Sequence, residues 1–403
     1  MGDPVNLIST WLRDLLVNLG LAPNFVDFLL VVLGVLVLAT AVTVLDIFLV
    51  WVERKVVGRF QDRLGPNRLG PFGLIQPFAD IIKLLIKEDI LPVGADKIVY
   101  NLAPVMALGT VLLLWAVIPL APTLIGADIN VAVLYIVAVG AVGSLAIIMA
   151  GWASNNKYAL LGAFRTVAMI VSYEVPMVIV LLVPVIMARS MGLMAIVEAQ
   201  DVWFIFLAPA AALILLVTSI AELGRAPFDL VEAESEIVAG YNIEYSGMKF
   251  GLFYAGELLH AITLSAVIST VFLGGWRGPF VEQVPILGVL YLLIKAFLVY
   301  WVIMWIRYSF PRLRIDQMMD FCWKFLTPLA LVLLIATAIL DKALAGSSTF
   351  VYTLSMLAAN IIVAWLTILI LRRYARTERR KVAELKPIAT PPAPALEESL
   401  GQE

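Results

Sequence analysis

Nine apolar stretches, most of them long enough to cross a lipid bilayer as a helix, dominate this sequence. A membrane-spanning helix needs about 20 mostly apolar residues, and inside a bilayer only helices and closed barrels satisfy their own backbone hydrogen bonds. The 403-residue chain is 62% hydrophobic and only 14% charged, which is typical of polytopic membrane proteins. We therefore expect an all-α polytopic membrane protein. The candidate spans are residues 28–52, 102–122, 131–151, 167–188, 203–221, 251–273, 286–306, 325–341 and 350–371.

The basic residues lie almost entirely on one side of these spans. Of the 28 lysines and arginines, 23 fall on one side and four on the other, while Lys295 lies within a span. Because cytoplasmic loops carry the excess of Lys and Arg, the distribution predicts an N-terminus outside and a C-terminus in the cytoplasm. The 23 residues lie in 53–101, 152–166, 222–250, 307–324 and the tail after 371.

Two segments outside the spans have patterns of their own. From Leu74 to Lys87, apolar residues recur at helical spacing opposite a polar stripe, which predicts an amphipathic helix in the membrane plane that is too short to span. The Gly-Pro steps just before it predict turns. The polar, Pro/Ala-rich residues at the end of the chain predict a disordered cytoplasmic tail.

Residues 222–257 concentrate acidic charge beside hydrocarbon. They hold seven carboxylates and two basic residues, between two apolar stretches. Crowding and poor solvation both favour the protonated form of a carboxyl group. Asp229, Glu232 and Glu236 recur at helical spacing, with Glu234 beside them. The segment therefore predicts a proton-handling cluster, and a solvated acidic loop is the alternative.

Further charges need partners or a function. Glu174 lies eight residues into an apolar segment, where a carboxylate is expected to be neutral or paired. A basic group ahead of the eighth span either anchors the chain at the interface or balances the acidic segment; its members are Arg307, Arg312 and Arg314. His260 follows Glu257 by one turn, but a single histidine is more often a hydrogen-bonded core residue than a ligand.

The composition excludes several kinds of site. Cys322 is the only cysteine, which excludes a disulfide within the chain and a four-cysteine iron–sulfur cluster carried by this chain alone. The single histidine excludes bis-histidine haem ligation, and we predict no metal site. The net charge of −2 argues against nucleic acid as a partner. Electron carriers of any redox reaction would therefore lie on other proteins.

Four long strings carry a family resemblance: WVERKVVGRFQDRLGPNRLGPFGLIQPFADIIKLLIKED, GWASNNKYALLGAFRTVAMIVSYEVPM, GRAPFDLVEAESEIVAGYNIEYSGMKF and WIRYSFPRLRIDQMMDFCWKF. They resemble the H subunit of bacterial NADH–quinone oxidoreductase, or respiratory complex I. The same family contains the first mitochondrially encoded membrane subunit of that complex. The resemblance runs from about residue 25 to 345, and strings this long in this order are highly specific.

The resemblance implies a role within an enzyme complex of the bacterial cytoplasmic membrane. Family members form most of the chamber through which quinone enters, join the peripheral arm to the membrane arm, and begin the charge path that couples quinone reduction to proton pumping. The implied substrate is menaquinone or ubiquinone, with no redox cofactor on this chain itself. FMN and iron–sulfur clusters would be held by partner subunits. Those partners would include the quinone-site subunits of the peripheral arm and small membrane subunits.

Carried over by position, the resemblance also implies three sets of site residues. The quinone chamber would contain Glu53, Arg54, Arg63, Asp80, Tyr158 and Arg165. The proton-coupling path would contain Glu174, Glu222, Asp229, Glu232, Glu234, Glu236 and Glu257. Its basic partners would be Arg225, Arg307, Arg312 and Arg314.

The chain departs from the family pattern in three places. Leu223 and Gly224 stand where two polar residues are usual, and Leu258 stands where a tyrosine is common. The family has eight spans, so the apolar residues after about 345 predict an additional C-terminal helix. The predicted divisions are an outside segment 1–27, a membrane domain 28–345, the extra transmembrane helix 346–376 and the tail 377–403.

Three other functions remain open at this point. A membrane subunit of an energy-converting hydrogenase would share the fold, but the complete GPNR–GPFG and AESE–VAGYN–EYSG strings favour complex I. A secondary transporter would usually show internal inverted repeats, and the sequence has no evident repeat. A plain assembly anchor would use the acidic segment only for docking.

Overall fold

The computed structural model describes residues 4–231, 240–344, 346 and 348–384. Within these residues the regular elements are helices, and the predicted all-α polytopic architecture is confirmed. A 3₁₀ turn at Pro71–Gly73 and a π-helical turn at Phe321–Leu326 supplement them. The helices are α1 Pro4–Asn18, α2 Pro23–Phe60, α3 Gln76–Ile86, α4 Lys97–Leu114, α5 Ala132–Ala153, α6 Lys157–Ala188, α7 Leu193–Glu198, α8 Phe204–Leu207, α9 Pro209–Glu222, α10 Gly247–Phe272, α11 Leu287–Ser309, α12 Ile315–Asp320, α13 Thr327–Ala343 and α14 Thr349–Glu384.

Each of the nine predicted spans contains a helix, and eight helical segments of the described chain are long and apolar enough to cross a membrane. The exception is the fifth prediction, residues 203–221, which the structure divides into the short α8 and the 14-residue α9. Ala208 leaves the helical region, with φ −132° and ψ 60°. The break falls there because the ring of Pro209 provides no N–H to continue the ladder.

Helix α10 is the central element of the first of two compact units, Met1–Asn360 and Ile361–Glu403, into which the chain divides. It contacts α2, α3, α4 and α11 and is buried along most of its length. In such surroundings hydroxyl groups must be satisfied within the protein. Each of four buried hydroxyls donates to the carbonyl oxygen four residues earlier; they belong to Thr263, Ser265, Ser269 and Thr270.

The predicted in-plane amphipathic helix is present as α3, which packs against α2 and α10. The loop before it folds back closely on itself. Gly73 has a φ of +78°, and a Cβ there would lie 2.4 Å from the backbone carbonyl of Pro66. Only glycine fits such a position without strain. The loop is thereby held in a compact form beside the end of α2.

The predicted C-terminal helix is α14, which begins at Thr349 and continues past the predicted boundary at residue 376 to Glu384. Its first part belongs to the first compact unit. There the buried side-chain amide of Asn360 donates to the backbone oxygen of Leu207 at 3.2 Å. Leu207 is the last residue of α8, so Asn360 satisfies a carbonyl at the helix break. The tail from residue 385 onward lies outside the described residues.

Candidate functional site at a buried charge network

Charged side chains are buried where α2, α10, α11 and the loop after α9 meet. Glu53 of α2 is only 5% exposed. Its Oε1 atom forms an ion pair with Arg307 and accepts a hydrogen bond from the hydroxyl of Tyr308 at 2.9 Å. A buried carboxylate is costly unless it is paired and hydrogen-bonded. These contacts supply that compensation and bring the ends of α2 and α11 together.

Arg225, in the loop after α9, connects Glu53 to a second carboxylate. Its side chain is 2% exposed, with Nη1 3.5 Å from Oε1 of Glu53 and Nε donating to Oε1 of Glu257 at 3.3 Å. Burial opposes the charge of the guanidinium, but the attraction of Glu53 and Glu257 outweighs it, so the pKa of Arg225 is raised above its ordinary value. Arg225 is therefore a permanently charged bridge between two acids.

A cavity of about 690 Å³ lies on the Glu53 side of this bridge. We call it the arginine cavity, because four arginines and one carboxylate carry its charge. Its volume falls in the range of about 300–1,000 Å³ that small-molecule sites occupy. Its lining is Glu53, Arg54, Val57, Arg63, Leu64, Gly65, Pro66, Asn67, Arg68, Gln76, Tyr254, Arg307 and Tyr308.

A smaller cavity of about 100 Å³ lies on the Glu257 side, between α4, α5, α6 and α10. We call it the acid cavity, because Glu222 and Glu257 both line it, together with His260. Nε2 of His260 is 3.7 Å from Oε1 of Glu222. The Oε2 atom of Glu222 is buried and accepts no hydrogen bond from a described residue. Such a volume is large enough for several water molecules.

Glu53, Arg225 and Glu257 thus link the two cavities by direct contacts. Glu53 lines the arginine cavity, Glu257 lines the acid cavity, and Arg225 contacts both carboxylates. A change of charge at either end alters the field at the other, because attraction between buried charges is weakly screened. Glu174 extends the series, since it interacts electrostatically with Glu222. The arrangement can pass an electrostatic signal from one cavity to the other.

Three of the predicted chamber residues, Glu53, Arg54 and Arg63, line the arginine cavity. Asp80 of α3 is held beside it by an ion pair with Arg54. The other two lie elsewhere. Tyr158 is 44% exposed, and Arg165 donates to the backbone oxygen of Leu230 at 2.8 Å, which holds the loop that follows Arg225.

One predicted path residue and two predicted basic partners do not line either cavity. Asp229 is partly buried and lines neither cavity. Arg314 pairs with Asp316 at 2.9 Å in an exposed position, and Arg312 also lines neither cavity. The three acids of the AESE string fall outside the described residues; they are Glu232, Glu234 and Glu236.

Four members of the network were not assigned to the site from the sequence, although helical spacing could have indicated two of them. Asp46 precedes Glu53 by two helical turns, is 5% exposed and interacts with Glu53 and Arg225. Tyr254 precedes Glu257 by one turn and lines the arginine cavity. Tyr308 gave no signal beyond being next to Arg307. Nothing in the loop sequence around Arg68 indicated that it lines a cavity. Among the described residues, no group of three His, Cys, Asp or Glu side chains is placed to hold a metal ion.

The fold and the site together define a class: polytopic helical membrane proteins with a buried network of charges between two cavities. The NADH dehydrogenase family model matches residues 32–338. The NADH-quinone oxidoreductase H subunit of Dehalococcoides mccartyi strain CBDB1 is 50% identical over 313 residues, which cover 77% of this chain and 87% of that protein. The corresponding H subunit of Paramagnetospirillum magneticum is 44% identical over 322 residues, 79% of this chain and 94% of that protein. The chain belongs to the family of the NADH-quinone oxidoreductase H subunit, whose members are membrane subunits of an enzyme complex, respiratory complex I.

Proposed function

We propose that this subunit forms the chamber through which a lipid quinone, menaquinone or ubiquinone, enters complex I, and couples its reduction to proton pumping. The contacts from Glu53 through Arg225 to Glu257 carry the proposal, because they join a ligand-sized polar cavity to a cavity lined by acids. In this proposal the quinone head group occupies the arginine cavity. The acid cavity begins the path for protons.

The mechanism uses only the charges of this chain. Reduction of a quinone bound near Glu53 adds negative charge and takes up protons, which shifts the balance of charge that Arg225 shares between Glu53 and Glu257. When Arg225 is drawn toward Glu53, Glu257 loses part of its counter-charge and takes up a proton. That proton then continues through Glu222 and Glu174 toward the membrane arm. The acids of residues 232–236 belong to the same path by family resemblance.

The surroundings of the protein follow from the same proposal. FMN and iron–sulfur clusters on peripheral-arm subunits would deliver the electrons, and small membrane subunits would receive the proton signal. The protein would join the two arms in the bacterial cytoplasmic membrane, with its N-terminus outside and its C-terminus in the cytoplasm. The excess of Lys and Arg on one side supports that orientation.

Neutralising Glu257 tests this function. The test uses the assembled complex reconstituted in proteoliposomes. There Glu257→Gln should lower both quinone-linked turnover and proton uptake about tenfold or more, because it removes one of the two carboxylates paired with Arg225. Oxidation of NADH by a soluble acceptor, which needs no quinone site, should be unchanged and reports that the peripheral arm is present and active. Wild-type quinone turnover together with wild-type pumping would contradict the proposal.

A further inference from the structure

His260 stands in the acid cavity in contact range of a buried glutamate. Its Nε2 atom is 3.7 Å from Oε1 of Glu222, and both side chains line the cavity. Glu257 precedes His260 by three residues on α10, so the two share a face of that helix and line the same cavity. The imidazole thus shares one cavity with the acid that contacts Arg225 and with the acid at the end of α9.

The carboxyl group of Glu222 has room for a further hydrogen-bond partner. The residue is 8% exposed, and its Oε2 atom accepts no hydrogen bond from a described residue. Space beside it is kept open by Gly140 of α5, where a Cβ would lie 3.7 Å from Oε1. A buried carboxyl group with one free oxygen, a cavity large enough for water and an imidazole opposite it form a site at which a proton can be exchanged.

We propose that His260 is a proton-carrying residue between Glu257 and Glu222. This inference rests on the proposed coupling function and adds a specific carrier to it. In the step, a ring nitrogen of His260 accepts the proton that leaves the carboxyl oxygen of Glu257. The imidazole then releases a proton from its other ring nitrogen to the carboxylate of Glu222. Each N–H bond that forms is matched by an O–H bond that breaks, and the reverse holds for release.

The charges around the ring suit a carrier that is cationic only briefly. Glu222 of α9 and Glu257 of α10 attract the imidazolium, while the guanidinium of Arg225 repels it. Glu174 of α6 interacts electrostatically with Glu222. Among the described residues, Tyr241 is the other titratable side chain on the cavity wall. Because these charges attract and repel the imidazolium at the same time, the ring is suited to accepting a proton and releasing it again rather than to holding it.

Two substitutions in the assembled, reconstituted complex test the proposal. His260→Asn keeps a hydrogen-bonding side chain of similar size that does not titrate, and His260→Ala leaves a space for a small base. Both should lower quinone-linked proton uptake about tenfold or more, with NADH oxidation by a soluble acceptor unchanged. Added imidazole should restore much of the uptake to the Ala variant. Its effect should grow with the pH, as the neutral form of imidazole becomes more abundant.

Ser269→Ala is the matched control, because Ser269 is buried on the same helix and its hydroxyl donates to the carbonyl oxygen of Ser265, its one hydrogen-bond partner among the described residues. It should leave pumping at the wild-type rate. Wild-type pumping in His260→Asn, or a loss in His260→Ala that imidazole does not relieve, would overturn the role of His260. If Glu257→Gln still lowers pumping in that case, the proposed coupling function stands and only the carrier is wrong.

Discussion

Two carboxylates of this molecule are held by the same types of partner, yet they lie in different networks. Glu53 is bound by Arg307 and by the hydroxyl of Tyr308. Asp341 is bound by Arg189 at 3.4 Å and by the hydroxyl of Tyr352 at 3.0 Å. Both also line cavities, the one at Asp341 being about 270 Å³. The three side-chain types alone therefore do not distinguish a functional site from a structural one.

What distinguishes the two sites is burial and a second arginine. The side chain of Arg189 is 68% exposed, whereas that of Arg307 is 29% exposed. At Glu53 the fully enclosed Arg225 continues the contacts to Glu257. At Asp341 the contacts found among the described residues end with Arg189 and Tyr352. In the proposed mechanism it is therefore the bridge, and not the carboxylate with its two partners, that lets the Glu53 site transmit a change of charge.

Removing the bridge should have the largest effect. Arg225→Met leaves Glu53 and Glu257 buried without their shared counter-charge, which costs about 3–5 kcal/mol when a buried pair is broken. We expect a strong decrease in assembled complex and an almost complete loss of quinone-linked turnover, measured on native gels and by NADH:quinone assay. Arg225→Lys keeps the charge and should lose less. Wild-type turnover in Arg225→Met would mean that the Arg225 bridge is not what distinguishes the Glu53 site from the Asp341 site.

Neutralising the two carboxylates compares the sites directly. Glu53→Gln loses charge-assisted hydrogen bonds worth about 1.5–3 kcal/mol, so quinone-linked turnover should fall about 10- to 100-fold. Asp341→Asn loses an ion pair whose arginine is exposed, worth about 1 kcal/mol or less, and turnover should stay within about twofold of wild type. Steady-state quinone kinetics on the two reconstituted variants measure both. Equal losses would mean that the two sites do not differ in function.

The rim of the arginine cavity should be less sensitive than its wall. Asp80 pairs with Arg54, whose side chain is 41% exposed, and such pairs contribute about 0.2–1 kcal/mol. Asp80→Asn should therefore raise the KM for a short-chain quinone by about fivefold at most. Salt screens exposed charges, so the difference should shrink at high ionic strength. A larger effect, or one independent of salt, would place Asp80 inside the site.

The smallest effect is expected at the C-terminal helix. Asn360→Leu removes the amide that caps the carbonyl of Leu207, and interhelical hydrogen bonds in membranes contribute about 0.6 kcal/mol on average. The melting temperature of the detergent-solubilised complex should fall slightly. Quinone-linked turnover should not change, because Asn360 lines neither the arginine cavity nor the acid cavity. A loss of turnover would connect this helix to the site.

Much of the fold could be predicted from hydropathy, because a chain in lipid must satisfy its backbone within helices. The C-terminal helix could be predicted for the same reason, and the amphipathic α3 from the helical spacing of its apolar residues. The break at Ala208 was not, although Pro209 marks it in the sequence. Helix α1 was also missed, since residues 4–18 are too short and too polar to predict a span.

The site was only partly predictable. Glu53, Arg225 and Glu257 stand out as costly charges in apolar surroundings or through family resemblance, but their mutual contacts join residues that lie far apart in the chain. No local pattern contains that information. Asp46 and Tyr254 could have been inferred from helical spacing to a known acid. Arg314 was predicted to be a partner of the acidic segment, and among the described residues it pairs with its neighbour Asp316.

Helix α2 is attached to the rest of the chain very unevenly. Of its 38 residues, those buried are Val26, Val42, Asp46, Leu49, Val52, Glu53 and Gly58, so most of the packing lies in its second half. Glu53 contributes charge to the arginine cavity, and its ion pairs with Arg307 and Arg225 also attach α2, which forms one wall of that cavity, to the rest of the chain. Protonating it would weaken the hold of Arg307 and Arg225 on the helix. Loss of the Glu53 charge would therefore change both the electrostatic field in the cavity and the attachment of one of its walls.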